Sequence, residues 1–430
     1  MKAEFIAFAG AIGAAVATAS AGVSSTLPFD VLLTDNQQLP GLGQLERVFN
    51  ASINDAGEWA AESRIDLGGG PDAFPIIGPG GLTNTPLGVL SNPALQTAGA
   101  PALLGIGQDG SVFTRVDLQP IGETNPEAGL TSWVFEDLSP VANSSQSFND
   151  RGETFTYRFF AEQSATNGNG TFIFNSLLDG PGPEDTEALV LREPGASDRI
   201  LVAAGDGLPG VGTVTIPFLA ATPSRPSFND AGTWAAPVSF RREDNSNGRA
   251  LLVDGQPVAF TGMDPAPTSD GRSIVGVAEP LASINDAAQL GYVAELAGAA
   301  RGDTIDAIML DSTPILAEGG IAQLVDGTTL DVSRLLVSNL FTLPSGDVLW
   351  SGEIRDDDGP FIGGLFLNDQ QVVGELVNLY DVSDSGEWAI ISTVNASFSF
   401  DELVRVRIPA PGALPLLAAG AVFGARRRRS

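Results

Sequence analysis

A short phrase that recurs along the chain limits the folds open to it more than any other feature. The phrase has Ser at its first position, Phe or Ile at the second, Asn at the third and Asp at the fourth. Most copies then have one variable residue followed by glycine. Asn and Asp side chains bond to their own backbone, and glycine adopts the left-handed conformation that other residues avoid. The phrase therefore predicts a tight turn between two strands, repeated along the chain. Clear copies start at Ser52, Ser147, Ser227 and Ser283, and degenerate copies lie at 344–346 and 382–389.

The turn positions that this phrase assigns are structural. Ala288 stands where the other clear copies have glycine, so we expect strain or a different turn there. Trp59, Trp234 and Trp388 each lie two positions after the glycine of a copy. Recurrence at one repeat position favours packing in the core over a platform for stacking sugars. The assigned turn residues are Asn54, Gly57, Asn149, Gly152, Asn229, Gly232, Asn285, Gly346 and Gly386.

A second phrase alternates with the first and occupies 251–260, 308–317 and 365–374. Each copy is an apolar run, a polar pair and a second apolar run, which predicts a hairpin. Asp254, Asp311 and Asn368 hold the same position in the three copies. Looser hairpin candidates lie at 103–116 and 189–202. The wide spacing between Gly152 and Gly232 suggests an insertion, which we assign to 167–170 and the residues that follow.

One turn phrase and one hairpin together supply four strands, which fits a blade of a β-propeller. The last turn phrase has no hairpin after it, and 31–39 near the N-terminus is a hairpin phrase without a turn phrase. We expect these two pieces to meet and complete one blade, because closure removes exposed sheet edges. The prediction is an all-β fold over 22–406, a β-propeller of about six four-stranded blades. Counting Asp109-Gly110 as a further turn phrase gives seven blades, and an open β-repeat array is the remaining alternative.

The N-terminus has the features of a secretory signal peptide over residues 1–21. Lys2 precedes an apolar run at 5–16, and the small residues Ala19, Ser20 and Ala21 predict cleavage after Ala21. The apolar run is too short to span a bilayer, so an uncleaved anchor is the weaker interpretation. The sequence thus predicts an exported protein.

The C-terminus, residues 408–430, has three parts. Pro409-Ala410-Pro411 precedes a short apolar stretch at 413–425, and the chain ends with Arg426, Arg427, Arg428, Arg429 and a serine. The stretch is short for a permanent span, and the arginines favour the cytoplasmic side. This order resembles the PEP-CTERM sorting tail of bacteria that use an exosortase-type system, with Ala410 in place of the family's Glu. The resemblance implies a membrane-embedded sorting protease as partner and transient membrane association, and a plain hydrophobic anchor is the alternative.

The recurring Asn-Asp-x-Gly phrase also resembles the choice-of-anchor tandem repeat proteins that carry an NxxGxxAF motif. Scattered short matches run from about residue 45 to 390. Those proteins combine such repeats with a variable C-terminal anchor, which agrees with the tail of this chain. The resemblance implies a surface location, and it brings no assigned activity and no site residues.

The amino-acid composition excludes several chemistries. The chain contains no Cys and no His, so a disulfide framework, a thiol nucleophile, a Ser-His-Asp triad and a His zinc site are all excluded. A net charge of −30 repels phosphate backbones, so we expect no nucleic-acid partner. Extracellular polysaccharide or surface proteins remain as partners. No cofactor is indicated by a motif.

Carboxylates are the catalytic groups that remain, and no pair stands out among the many acids. A non-catalytic role at the cell surface or outside the cell, in binding, adhesion or matrix assembly, is the favoured function. The alternative is an extracellular carbohydrate-active enzyme with two carboxylates, which propellers can host. Calcium is a weaker option at Asp356-Asp357-Asp358-Gly359 or at Asp303 with Asp306, because neither group matches a spaced calcium loop. We assign no catalytic, cofactor-binding or metal residue.

Overall fold

The computed structural model describes residues 25–39, 42–66, 75–78, 81–84, 95–97, 101–120, 131–137, 139–166, 170–181, 185–216, 226–298, 303–357, 359–394 and 400–409. Their strands are arranged in seven sheets, which are antiparallel except for one parallel pairing between Gln323 and Gln370. The predicted signal peptide and the predicted tail beyond Pro409 lie outside them. Among the described residues, no helix is long and apolar enough to cross a membrane.

Each sheet is one blade, and blades 1 to 7 are numbered along the chain. The first strand, β1 (Phe29–Thr34), joins the last blade. Blade 1 contains β2 (Gln38–Leu39), β3 (Gly43–Ile53), β4 (Trp59–Asp66), β5 (Ile76–Gly78) and β6 (Gly81–Asn84). Blade 2 contains β7 (Leu95–Thr97), β8 (Ala102–Ile106), β9 (Val112–Pro120), β10 (Thr131–Glu136) and β11 (Ser139–Asn143). Blade 3 contains β12 (Ser147–Asp150), β13 (Glu153–Thr166), β14 (Phe172–Asp179), β15 (Thr186–Arg192) and β16 (Arg199–Ala203).

The remaining four blades follow along the chain. Blade 4 contains β17 (Gly207–Leu208), β18 (Gly212–Ile216), β19 (Ser227–Phe228), β20 (Trp234–Arg241), β21 (Asn247–Val253) and β22 (Gln256–Phe260). Blade 5 contains β23 (Ala266–Pro267), β24 (Ser273–Ile284), β25 (Leu290–Ala297), β26 (Thr304–Leu310) and β27 (Thr313–Ala317). Blade 6 contains β28 (Ile321–Gln323), β29 (Thr329–Asp331), β30 (Arg334–Thr342), β31 (Val348–Arg355), β32 (Ile362–Leu367) and β33 (Gln370–Val373). Blade 7 contains β34 (Val377–Val382), β35 (Trp388–Val394), β36 (Phe400–Arg407) and β1.

The hydrophobic core is divided into layers between neighbouring blades. Strands such as β20 are apolar along most of their length because both faces of a blade are covered by its neighbours. The layer between blades 3 and 4, for example, packs Ile173 and Leu189 against Trp234 and Leu252. Similar clusters join every other neighbouring pair, including blade 7 with blade 1. The ring is therefore closed, and the open array is excluded.

Closure uses one N-terminal strand and three C-terminal strands, which corrects the predicted contribution of the two ends. Strand β1 pairs with β36, from Phe29 opposite Val406 to Thr34 opposite Glu402. The predicted hairpin at 31–39 does not form, because β1 joins blade 7 while β2 pairs with β3 in blade 1. The polar residues between β1 and β2, with Asn36 at φ +60, turn the chain from one blade to the next.

The β-propeller prediction is confirmed, and the structure has the alternative count of seven blades rather than about six. The additional blade comes from the Asp109-Gly110 turn between β8 and β9, where the Gly110 amide donates to the Gly107 carbonyl at 3.0 Å. Gly110 has a φ of +83. The looser hairpin predicted at 103–116 is this turn, which forms without the Asn-Asp pair.

The third copy of the turn phrase lies at the opposite end of its inner strand from the other copies, which corrects its predicted position. Asn149 and Gly152 lie in the β12–β13 hairpin at the start of the inner strand, whereas the equivalent turns of the other blades follow the inner strand. In blade 3 the connection from the inner strand β13 to the next strand β14 runs from Thr166 to Phe172, which includes the region predicted as an insertion. The error arose because both ends of the strand use the same turn chemistry.

The second phrase forms the predicted hairpins β21–β22, β26–β27 and β32–β33. The residue that starts each turn has a left-handed backbone, and its side chain accepts the amide at the start of the second strand of the blade. The three carboxylate or amide side chains and the amides that they accept are Asp254 with Trp234 at 3.1 Å, Asp311 with Leu290 at 2.9 Å, and Asn368 with Val348 at 2.9 Å.

The looser candidate at 189–202 is the hairpin β15–β16.

Two of the three predicted core tryptophans are buried between blades. Trp59 and Trp234 are 7% and 5% exposed. Trp388 is half-buried at the contact of blades 7 and 1, with Arg405 and Arg407 at 4.7 and 5.5 Å from its ring. No exposed tryptophan row forms on the described surface.

Candidate functional site

The seven innermost strands line a central channel, and the turn that follows each strand lies at one end of it, which we call the turn face. In each turn, the position that the phrase gives to glycine has a left-handed backbone, which glycine adopts at low cost. Ala288 takes this conformation as well, with a φ of +58, so its copy keeps the turn and carries the expected strain. The seven positions are Gly57, Gly110, Gly170, Gly232, Ala288, Gly346 and Gly386.

The Asn of the turn phrase bonds one blade to the next. Asn54 Nδ2 donates to the Gly107 carbonyl of blade 2 at 3.0 Å. Asn229 reaches the Asn285 carbonyl at 2.9 Å, and Asn285 reaches the Leu343 carbonyl at 2.7 Å. Each Oδ1 also accepts an amide of its own turn. These Asn side chains are buried, so they hold both the turn and the ring.

The Ser of the phrase makes a second bond between blades, two residues earlier. Ser227 Oγ accepts the Ile284 amide at 2.9 Å, and Ser283 Oγ accepts the Thr342 amide at 2.8 Å. Ser52 accepts the Ile106 amide in the same way at 3.2 Å. Blade 7 has Asp381 at this position. The inner surface of the channel is therefore fastened by a repeated pair of polar side chains.

Asp381 closes the ring between blade 7 and blade 1. Its Oδ2 accepts the Ile53 amide at 3.2 Å and the Ser52 hydroxyl at 2.5 Å. Its Oδ1 accepts the Val382 amide at 2.9 Å. A carboxylate offers about four acceptor sites on two oxygens, whereas a serine hydroxyl offers two on one oxygen. Asp381 thus acts in the described structure as an inter-blade acceptor.

Further carboxylates surround the channel mouth at the turn face. Asp55 accepts the Ser385 amide at 2.6 Å, and Asp286 accepts the Asp230 amide at 2.9 Å. Asp384 accepts a 2.7 Å hydrogen bond from Gln108 of blade 2. Most of these carboxylates therefore serve as acceptors between blades.

Two of the mouth carboxyls have raised pKa values. Desolvation by the surrounding turns raises the pKa of Asp384 to about 6, with repulsion from Asp381, Asp55 and Asp230 adding to the effect and the Gln108 bond opposing it. Asp384 nevertheless contacts solvent, so its desolvation comes from crowding at the mouth and not from complete enclosure. Desolvation, followed by repulsion from Asp286 and Asp55, also raises the pKa of Asp230.

The cavity at the turn face is small. It has a volume of about 160 Å³, whereas sites for small ligands occupy about 300–1,000 Å³. A larger cavity of about 660 Å³ lies at the other end of the inner strands of blades 1, 6 and 7, with residues of blade 2 at one side. Size therefore favours this second cavity, which we call the wide cavity, for any bound molecule.

The two groups of residues considered for calcium lie in different blades. Asp356 and Asp357 follow β31, and Asp358 lies outside the described residues. Asp303 and Asp306 lie at the start of β26 in blade 5. Among the described residues, no group of three or more carboxylates has an arrangement that could hold a metal ion.

Asp306 belongs to a separate acidic strip across blade 5. Desolvation raises its pKa to about 6, repulsion from Glu318, Glu295 and Glu279 adds to the rise, and Arg334 opposes it. Glu318 accepts the amides of Asp306 and Leu335. Asp306 and Glu318 are half-buried, so the strip forms part of the surface of blade 5.

The described part of the predicted tail leaves the ring at the turn face, beside the N-terminal segment. The Arg407 amide donates to the Pro28 carbonyl at 3.0 Å, and the Ile408 amide donates to the Glu387 carbonyl at 2.8 Å. Pro409 follows at once. The other predicted tail residues, Ala410, Pro411, Arg426, Arg427, Arg428 and Arg429, lie outside the described residues.

Sequence alone predicted the turns but missed the bonds between blades. Asp381 and Gln108 belong to no recurring sequence pattern. Ser52 belongs to the Ser that recurs two positions before Asn, and this recurrence could have indicated a contact shared by the repeats. The structure places the predicted turn residues Asn54, Asn229 and Asn285 in turns at the channel, whereas the predicted turn residue Asn149 lies at the other end of its strand. Recurrent polar positions in a repeat protein thus mark contacts with the next repeat as well as turns.

Comparison with known proteins adds no functional assignment. No protein-family model and no curated protein matches the chain. A protein of unknown function from Dyadobacter fermentans is 13% identical over 74% of this chain and all of its own length, with a TM-score of 0.32. A solved structure described as the Dos1 propeller is 10% identical over 87% of this chain and 97% of its own, with a TM-score of 0.31. Likeness at this level carries no argument about activity.

Proposed function

We propose that this chain is an exported β-propeller, located at the cell surface or outside the cell, that binds other molecules and does not catalyse a reaction. One observation carries the non-catalytic part of the proposal. The channel carboxylates Asp55, Asp286, Asp381 and Asp384 accept hydrogen bonds from neighbouring blades or turns. Groups that hold the ring together are poorly placed to protonate or attack a substrate.

The ends of the described chain support the exported location. Ser25 and Thr26 bond along the outer strand of blade 6, and β1 then lies against β36. Both predicted sorting segments would therefore leave the ring from one place. A single attachment region lets a membrane-embedded sorting protease act on the tail while the closed body stays outside the membrane.

A carbohydrate-active enzyme is the second candidate, and one observation favours it. Asp384 and Asp230 share the channel mouth with raised pKa values, and glycosidases need one carboxyl group that stays protonated. Against it stand the small cavity at that mouth and the bond that Gln108 makes to Asp384. We therefore keep the enzyme as the alternative.

Two measurements test the proposal. Mass spectrometry of the protein isolated from its producing cells should show a mature chain without residues 1–21 and without Arg426–Arg429. The same protein should sediment with extracellular polysaccharide or whole cells, and it should release no reducing sugar from that polysaccharide. Retention of the arginines on the extracellular form would overturn the sorting-tail proposal, and sugar release abolished by Asp384→Asn would establish the enzyme instead.

A further inference from the structure

The wide cavity has the size and position of a ligand site. Its volume of about 660 Å³ falls within the range of about 300–1,000 Å³ that small-molecule sites occupy. Its walls come from the inner strands β3, β8, β30 and β34. A concave site shared by several rigid strands suits a small ligand better than the surface of a protein partner, which requires a broad and flatter contact.

Irregular pairing of three inner strands places side chains in this cavity. The register of β3 with β4 skips Phe49, that of β30 with β31 skips Ser338, and that of β34 with β35 skips Tyr380. All three skipped residues line the wide cavity. Bulges of this kind redirect a side chain and are frequent beside functional sites. The same irregularity in three blades therefore converges on one cavity.

Phe49 supplies an aromatic surface at the cavity. Its side chain is 39% exposed, which is unusual for a large aromatic in this chain, and the Arg47 guanidinium lies 5.2 Å from its ring centre. Stacking of Arg on the ring fixes its orientation. A fixed aromatic face beside polar groups is suited to a ligand with one apolar side and several hydroxyls.

The polar groups around Phe49 are mainly neutral. Asn378 and Ser338 are exposed, and Tyr380 is fixed by donating to the Val48 carbonyl at 3.2 Å and accepting from Ser392 at 3.1 Å. Amides and hydroxyls donate and accept, so they match sugar hydroxyls in either direction.

The charges at the cavity nearly balance. Among the described residues, the lining contains one cation, Arg47, and one anion, Glu62, whose carboxylate accepts the Leu103 amide at 3.1 Å. A chain with a net charge of −30 would be expected to present acids at most of its surface. The balance at the wide cavity thus favours a neutral ligand over a cationic one.

We propose that the wide cavity is a binding site for a neutral saccharide unit, which stacks on Phe49 and bonds to Asn378 and Ser338. The inference rests on the proposed binding function and adds the ligand class and the position of the site. The turn-face mouth, with its carboxylates occupied between blades, is not part of the site.

The test uses the mature full-length chain and three neutral disaccharides: cellobiose, maltose and N,N′-diacetylchitobiose. Saturation-transfer NMR and titration calorimetry measure binding to the wild type, Phe49→Ala, Asn378→Ala and Phe361→Ala. Phe361 is a matched control, because it is 41% exposed, has Arg355 at 4.7 Å from its ring and does not line the cavity. Thermal unfolding of each variant establishes that the ring is intact.

The wild type and Phe361→Ala should bind at least one disaccharide with equal affinity. Phe49→Ala loses one stacking contact, so its dissociation constant for the disaccharide should be about fivefold higher than that of the wild type, or more. Absence of binding by the wild type, or equal binding by a folded Phe49→Ala, would overturn the site. Binding of a neutral heptapeptide with no disaccharide binding would assign the cavity to a protein partner and overturn the saccharide class. Cleavage of a bound disaccharide would refute the non-catalytic function and leave the site standing.

Discussion

The carboxylate of Asp381 in blade 7 accepts a 2.5 Å hydrogen bond from the hydroxyl of Ser52 in blade 1. Ser52 in turn accepts an amide of blade 2. The two residues therefore link three successive blades around the channel. The repeated Ser and Asn positions extend this pattern to other blades. We therefore expect the stability of the ring to depend on side chains that the sequence pattern assigns only to turns.

The Asn of the turn phrase should contribute unequally to stability in different copies. Asn54→Ala removes a buried bond to blade 2 and an acceptor within its own turn. We expect the free energy of unfolding to fall by about 1–3 kcal/mol, because the turn amide of Glu58 loses its acceptor and the buried Gly107 carbonyl loses one of its two donors, keeping only the Gly110 amide. Asn149→Ala is the matched control. Asn149 is exposed in the β12–β13 hairpin, so its loss should change the free energy by no more than about 0.5 kcal/mol. Equal effects in denaturant titrations would show that the phrase acts only as a turn.

Ala288→Gly should stabilise the protein. Ala288 has a φ of +58 in the turn where six other blades have glycine, and a left-handed conformation costs an L-residue about 1–2 kcal/mol. The greater freedom of glycine in the unfolded chain offsets about 0.4–1 kcal/mol of this gain. The net increase in the free energy of unfolding should therefore be up to about 1.6 kcal/mol, measured by chemical unfolding. Ala287→Gly, at the exposed neighbouring position without a positive φ, should destabilise; a loss of stability in Ala288→Gly would contradict the strain.

Stability should rise as the pH falls below neutrality, through Asp384. Crowding at the channel mouth raises the pKa of this carboxyl to about 6 from an ordinary 3.8, so the folded chain binds the proton more tightly than the unfolded chain. The free energy of unfolding should therefore increase as the pH falls through 6 towards about 4. Above pH 6 the Asp384 carboxyl is ionised in the folded chain, and its destabilising effect should be complete. Asp384→Asn should reduce this dependence, because Asn cannot ionise and can still accept from Gln108. Asp303→Asn, which removes an exposed charge in blade 5, is the control. Unfolding midpoints that vary with pH equally in both variants would contradict the assignment.

The single N-terminal strand should be required for a stable ring. A chain that starts at Asp35 lacks β1 and the buried side chains of Leu27 and Leu33. Loss of two such leucines alone should lower the free energy of unfolding by at least about 4 kcal/mol. A chain that starts at Ser25 is the control, and a synthetic peptide of residues 25–34 should restore part of the stability in trans. A chain from Asp35 that unfolds at the wild-type midpoint would refute closure by β1.

The sequence predicted the propeller and most of its turns because these depend on local chemistry. The Asn-Asp-x-Gly turns and the hairpins at Asp254, Asp311 and Asn368 need only their own side chains and a left-handed residue. The number of blades was less accessible, because Gly107 and Gly110 form the same turn without the Asn-Asp pair.

The contacts between distant parts of the chain could not be predicted from local patterns. The polar turn at Asn36 has the composition of a hairpin, yet the strands on its two sides enter different blades. The skipped residues Phe49, Ser338 and Tyr380 read as ordinary strand residues, because a bulge depends on the register with the neighbouring strand. The wide cavity was therefore absent from the sequence-based prediction.

The most direct test of the account is the stability of Asp381→Ala, because the account holds that channel carboxylates fasten the ring. This variant removes the acceptor of the Ile53 amide and the Ser52 hydroxyl, so the free energy of unfolding should fall by about 1–3 kcal/mol or more. Asp381→Ser introduces the residue that blades 1, 4 and 5 have at this position, and it should recover part of the loss in the same denaturant titration. An Asp381→Ala variant as stable as the wild type would contradict the structural role and leave this carboxylate available for chemistry.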